Sequence, residues 1–342
     1  MDLSLFSGRV IAVHRDAYRI STESGERAGV LAGRLRHETT RRSDLPAVGD
    51  YVSIRLPPGE GPAVIEAVRP RKTALMRRAA GDRPDDQVIA ANLDIVFVMV
   101  GLDHDFNVRR VERYLAAVWE SGATPVVLLN KADVCPDVAG RLAELRRAAI
   151  GVDVHALSAA TAEGVEAILP YLLEGRTAGV VGSSGVGKST LLNRLLGHDA
   201  QVTSAVRDHD SRGRHTTTHR ELFVLPGGGC IIDTPGMREF QLSSVSGAGD
   251  GIDGVESVFA DIEALAAQCR FEDCGHQQEP GCAVREAVAG GQIDAGRLAS
   301  YEKLLKELRY EASRDDPAAA RERKRLGRIG SKDIKRMYRD GK

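Results

Sequence analysis

Gly182-Ser183-Ser184-Gly185-Val186-Gly187-Lys188-Ser189-Thr190 is the stretch whose reading decides the fold. It meets the pattern Gly-x-x-x-x-Gly-Lys-[Ser/Thr] at Gly182, Gly187, Lys188 and Ser189. An apolar run at 178–181 precedes it, and Leu191, Leu192, Leu195 and Leu196 follow at helical spacing. A strand feeding a glycine-rich loop and then a helix is the setting in which this pattern binds a polyphosphate. Glycines let backbone N–H groups turn inward on phosphate with no Cβ in the way. The helix aims its positive end at the same anion. The whole run from Gly182 to Thr190 is the predicted phosphate contact, with Lys188 on the β- and γ-phosphates and Ser189 on Mg²⁺.

Working outward, Ile95–Val100 reads as a buried strand, 108–121 as a helix on Val111, Leu115 and Val118, and Val126–Leu129 as a second strand. Alternating strands and helices argue for a mainly parallel sheet wrapped by helices. The second strand runs into Asn130-Lys131-Ala132-Asp133. Asn-Lys-x-Asp at a strand end is the guanine-reading motif of GTPases. The Asp133 carboxylate accepts from guanine N1–H and the 2-amino group, Asn130 supplies an amide, and the Lys131 stem lies along the base. Ser158 and Ala159, in Ala156-Leu157-Ser158-Ala159, are the expected partners, with a backbone N–H near Ala159 reaching guanine O6. An ATPase reading is disfavoured by Asp133.

The order of these parts is permuted. In Ras-like GTPases the phosphate loop comes first; here both base-reading segments precede it. After it stand Gly213–Thr218 and Asp233-Thr234-Pro235-Gly236. Loops at the carboxyl ends of parallel strands can assemble one pocket in either order. Asp233 would hold Mg²⁺ through water and the Gly236 N–H would meet the γ-phosphate. Met237 stands where Ras-like enzymes place a water-orienting Gln.

Before these elements, residues 1 to about 72 read as five short strands: Arg9–Val13, Tyr18–Thr22, Gly29–Leu35, Asp50–Leu56 and Ala63–Val68. No helix is expected between them. A small closed barrel follows, and pattern alone leaves oligonucleotide-binding (OB) and SH3-like barrels open. Arginines 9, 15, 19, 34, 36, 41 and 42 give it a predicted cationic surface, with Thr39–Ser43 its most exposed basic point. Few aromatics accompany them, so phosphate-backbone or RNA-shape recognition is favoured over base stacking.

Near the other end, Cys269, Cys274, His276 and Cys282 are spaced C-x4-C-x-H-x5-C. Three thiolates and an imidazole make a full tetrahedral set for zinc, a structural site with no open position. Cys135 and Cys230 read as buried apolar residues. Residues 283–289 and 297–312 read as helices, followed by a basic, poorly ordered tail.

In NKAD, GSSGVGKST, GRHTTT (213–218), DTPG and the cysteine cluster the chain resembles, nearly end to end, the RsgA family of small ribosomal subunit biogenesis GTPases. The resemblance implies GTP hydrolysis stimulated by the small (30S) subunit late in its assembly. It also implies that His215 replaces the missing Gln and that Thr217 closes on Mg²⁺ and the γ-phosphate, with Thr216 and Thr218 as adjacent rivals. Ser211 stands where the family often has a second glycine. The predicted catalytic set is thus His215, Lys188 and Thr217.

The expected fold is a circularly permuted α/β P-loop GTPase domain (87–245) after an OB-like barrel (1–76). A small, mostly α zinc-binding domain (246–316) and a basic tail (317–342) follow. Arg77–Asp86 is the expected linker. The net charge of -1 hides +5 on residues 1–80 and +7 on 317–342, leaving -13 between them. Basic ends suit a polyanion, here the 30S subunit and its 16S rRNA. Mean hydropathy of -0.22, no apolar run near the ~20 residues of a membrane span and no basic-then-apolar leader in MDLSLFSGRV suggest a cytoplasmic protein without membrane contact. A monomer is expected. The competing reading is a nucleotide-gated RNA-binding module in which hydrolysis is incidental.

Overall fold

The computed structural model describes residues 5–14, 17–57, 59, 61–78, 86–198, 220–234 and 252–315. His215, Thr217, Gly236, Met237 and the tail 317–342 lie outside them.

The barrel is built from β1 (Phe6–His14), β2 (Ala17–Thr22), β3 (Gly25–Leu31), β4 (Tyr51–Arg55) and β5 (Ala63–Val68). Strand order β1-β2-β3-β5-β4 with β4 paired back to β1 closes it, and β3 runs parallel to β5. That five-stranded closed order is the OB-like one. Val10, Ile20, Val52, Ile54 and Ile65 fill it. Two expectations change here. The third strand begins at Gly25 and ends at Leu31, and a short helix α1 (Gly33–Glu38) stands between β3 and β4. Alternation stops after Leu31; Leu35 then turns onto the barrel from the helix, whose Arg34 reaches Glu38 one turn on.

Next comes an antiparallel pair, β6 (Ala74–Arg78) against β7 (Asp86–Ala91), with Arg77 opposite Gln87. The ends of the expected linker are therefore paired strands. The central sheet follows: β8 (Ile95–Gly101), α2 (Val108–Glu120), β9 (Thr124–Asn130), α3 (Val138–Ala148), β10 (Asp153–Ala156), β11 (Thr177–Gly182), α4 (Lys188–Leu196), β12 (Arg220–Val224) and β13 (Cys230–Asp233). Its order is β10-β9-β8-β11-β13-β12, parallel except for β12.

Every residue of β8 is buried, as a strand covered on both faces requires. Val96, Val98 and Val100 face a core shared with Val111, Leu115 and Val118 of α2. Ile95, Phe97 and Met99 face the other, with Leu191, Leu192 and Leu196 of α4. Each such side chain contributes about 1.5–3 kcal/mol. The chain goes one way from β8 to β9 and β10, and to the opposite side for β11 and β13. The crevice at the carboxyl ends of β8 and β11 is thus a topological switch point, where ligands bind in open α/β sheets.

Four helices close the described chain: α5 (Ile252–Val258), α6 (Ala260–Ala266), α7 (Ala283–Ala289) and α8 (Ala295–Asp315). Val255, Phe259, Tyr301 and Leu304 join the same core as α2. Helix α5 crosses α2 so closely that a Cβ on Gly254 would lie 2.3 Å from the Ala116 carbonyl oxygen. No helix among the described residues is long and apolar enough to cross a membrane.

Candidate functional site: a nucleotide pocket and a metal knuckle

Asn130 ends β9 and is 3% exposed. Its Nδ2 donates to the Val186 carbonyl at 2.7 Å, and its Oδ1 accepts the Ala159 N–H at 2.8 Å. One buried amide thus joins the base-reading loop, the Ser158–Ala159 segment and the phosphate loop. The Ala159 N–H, expected near guanine O6, is taken up by this bond, so it reaches a base only by sharing it. Lys131 turns the chain in the left-handed region at φ 68°, and the exposed Asp133 follows in a short 3-10 turn.

Val186 is buried, and Gly187 adopts φ 105° at the start of α4. A Cβ on Gly187 would sit 2.3 Å from Asn130 Nδ2, and one on Gly182 would sit 2.4 Å from the Met99 carbonyl oxygen. Both glycines are demanded by close approach as much as by dihedral. Ser184 and Gly185, at the crest, are exposed, while Ser189 and Thr190 open the helix half-buried. Lys188 Nζ donates to the carbonyls of Gly182 and Ser183 at 2.8 and 2.7 Å.

Burial brings the Lys188 ammonium down to about 8, with Asp233 and Asp105 pulling the other way. Burial also raises the Asp233 carboxyl, against the opposing pull of Lys188. A pocket that penalises its own lone charges, with Lys188 spanning loop carbonyls, fits a polyphosphate and its divalent cation.

The turn after β8 carries two further residues of the site, Asp103 and Asp105, that belong to none of the motifs. Asp103 Oδ2 pairs with Lys131 Nζ at 2.7 Å. Asp105 Oδ2 accepts from the Ser183 hydroxyl, and its Oδ1 pairs with Arg110 at 2.8 Å. Burial works to raise the Asp103 carboxyl, but hydrogen bonds from Lys131 and the Asp105 N–H outweigh it and hold it below its usual range. Two carboxylates at the end of a buried strand were the available signal.

At the knuckle, the ligand atoms of Cys269, Cys274, His276 and Cys282 lie within 4.8 Å of one another. The Cys269 and Cys282 sulfurs are 3.9 Å apart, close to the separation of about 3.8 Å set by two Zn–S bonds of ~2.3 Å at a tetrahedral angle. His276 Nδ1 is 3.7 and 3.5 Å from those sulfurs. The donor set fits zinc. Glu279, also unforeseen, accepts the N–H groups of Gly275, Gln277 and Gln278 at 3.1, 2.8 and 2.9 Å, bracing the loop around His276.

Of the barrel arginines expected at the surface, Arg9 instead reaches Thr177 Oγ1 at 2.7 Å and the Cys230 sulfur at 3.8 Å, while Arg19 pairs with Glu26 and Glu221. Arg15 is outside the described residues. Arg34, Arg36, Arg41 and Arg42 are exposed and gather on α1 and the turn after it. Cys135 and Cys230 are only partly buried.

Comparison with known proteins follows the same lines. The family model described as RsgA GTPase matches residues 68–243. The small ribosomal subunit biogenesis GTPase RsgA of Opitutus terrae is 51% identical over 330 residues, covering 94% of this chain and 89% of that one. RsgA 2 of Lactiplantibacillus plantarum is 46% identical, covering 97% and 92%. Among solved structures, YjeQ from Thermotoga maritima aligns with TM-score 0.65 at 27% identity, covering 89% of this chain and 99% of that one. YloQ, a circularly permuted GTPase, shares the fold with TM-score 0.62 at 21% identity, covering 92% and 97%.

Proposed function

We infer, from the premise that this chain belongs to the RsgA GTPase family, that its pocket hydrolyses GTP to GDP and phosphate in the service of small ribosomal subunit assembly. The observation that carries this reading is Asn130, which ties base-reading and phosphate-reading loops into one pocket. Asp133 selects guanine, and the backbone N–H groups of 183–188 with Lys188 hold the phosphates. Bound Mg²⁺, held by Ser189 and Thr217 and through water by Asp233, would neutralise charge growing on the β- and γ-phosphoryl oxygens. His215 orients the attacking water, a task of positioning more than of strong base chemistry.

In this account the enzyme is a cytoplasmic monomer that docks on the 30S subunit and its 16S rRNA late in assembly, and docking stimulates turnover. The barrel, residues 1–76, and the basic tail, 317–342, supply the charge for docking. The region 246–316 is held by one structural zinc, and 87–245 carries the chemistry. Asp133→Asn tests the pocket: it should shift preference from GTP toward xanthosine triphosphate, and unchanged discrimination would remove Asp133 from base reading. His215→Ala should leave GTP binding within about twofold while stimulated turnover falls about 10²-fold; stimulated turnover close to wild type would place the water elsewhere.

A further inference from the structure

We propose that the acidic turn Asp103–Asp105 is a positioning element that fixes the spacing between the base-reading loop and the phosphate loop. The proposal rests on the guanine-nucleotide reading of the pocket and adds residues that the nucleotide motifs do not contain.

Its place follows from the sheet order. β8 lies between β9, which ends in Asn130, and β11, which ends in Gly182. The turn leaving β8 therefore sits between the two loops a nucleotide must span. It touches both. On one side Asp103 Oδ2 takes Lys131 Nζ at 2.7 Å. On the other, Asp105 Oδ2 takes the hydroxyl of Ser183, the first residue after Gly182. The two acids are joined, since Asp103 Oδ1 accepts the Asp105 N–H at 3.0 Å. Gly101 makes room for this: a Cβ there would lie 2.6 Å from Asp103 Oδ1.

Carboxylates beside a phosphate site would oppose an anion unless each is matched. Lys131 matches Asp103, and Arg110, the third residue of α2, matches Asp105 at Oδ1 while also donating to its carbonyl. The arrangement holds Ser183 by a charge-assisted hydrogen bond. Ordering both loops before the nucleotide arrives lowers the entropic cost of binding. The turn acts through Ser183 and Lys131; it does not touch the reacting phosphate in this scheme.

The test is a mutant cycle read by titration with a fluorescent GDP analogue, on the full-length chain, with thermal unfolding as a folding control. Ser183→Ala and Asp105→Ala should each weaken GDP binding roughly 10-fold or more, the scale of removing a hydrogen bond to a charged group. The double variant should be no weaker than the poorer single, because both changes remove one interaction. Asp105→Asn keeps an acceptor for Ser183 and should recover most of the affinity. Ser183→Ala within twofold of wild type, or losses that multiply in the double variant, would overturn the proposal. So would a loss in Asp105→Ala shared by Arg110→Ala and not by Ser183→Ala, which would assign Asp105 to folding of α2. Absence of GDP binding by the wild type would instead overturn the guanine reading itself.

Discussion

Val13 of the barrel lies opposite Arg220 in an antiparallel pair, so β1 and β12 share one sheet. Arg220 is two residues beyond Thr218, the end of the segment Gly213–Thr218 from which Thr217 is expected to close on Mg²⁺. β12 pairs on its far side with β13, which ends in Asp233. Arg19 reinforces the seam by pairing with Glu221. The pair is half-exposed and worth at most about 1 kcal/mol, but reversal adds repulsion at the same place. Glu221→Arg should speed amide exchange across 220–222 and 12–13 while GDP affinity stays within about twofold. Unchanged exchange would mean that the backbone pairing alone holds the seam.

Cys274→Ser should release zinc. The 246–316 region should loosen, because Cys282 lies in the core it shares with α2 and Cys269 and Cys274 pack against that core. GDP affinity should stay close to wild type, because the four ligands lie outside the nucleotide motifs. Zinc content and GDP affinity, measured together, separate the two parts. Collapse of nucleotide binding along with the metal would make knuckle and pocket one folding unit.

Arg297 is 4% exposed and joins Glu112 of α2, itself fully buried, at 3.0 Å and Asp261 of α6 at 2.7 Å. It also donates to the carbonyls of Ala148 and Val258. Removing Arg297 takes the buried cation from Asp261 and leaves Glu112 with the part-exposed Arg109 at 2.8 Å. Breaking such a buried pair typically costs about 3–5 kcal/mol. Arg297→Ala should lose stability on that scale in denaturant titration. A loss under about 1 kcal/mol would show that Glu112 simply takes up a proton, in the direction burial already pushes it.

This network also marks where sequence reading ends. Val111, Leu115 and Val118 were legible from helical spacing, and the phosphate and guanine motifs because their chemistry fixes residue types at set intervals. Glu112 reads as an ordinary surface acid, since its partner Arg297 lies 185 residues away. The β1–β12 seam is non-local for the same reason. Helix α1 is not legible in sequence, because Gly33–Glu38 is too short for a period to show. Asp103 and Asp105 read as loop residues; only folding brings Ser183 and Lys131 to them.

Arg41 and Arg42 are exposed on the turn after α1, beside Arg34 and Arg36. Reversing both should weaken binding to small subunits and flatten its dependence on salt. For every phosphate no longer neutralised, the slope of log K against log salt should fall by about 0.7–0.9. An unchanged slope would leave these charges as solvated surface.

The central claim is that docking on the small subunit turns a slow GTPase into a fast one. GTP turnover by the wild-type chain, measured alone and with purified small subunits, large subunits or free RNA, tests it most directly. The account predicts stimulation of about 10²-fold or more, on the scale by which positioned catalytic groups act, by small subunits and not by large ones. Turnover that is the same in all four conditions would contradict it.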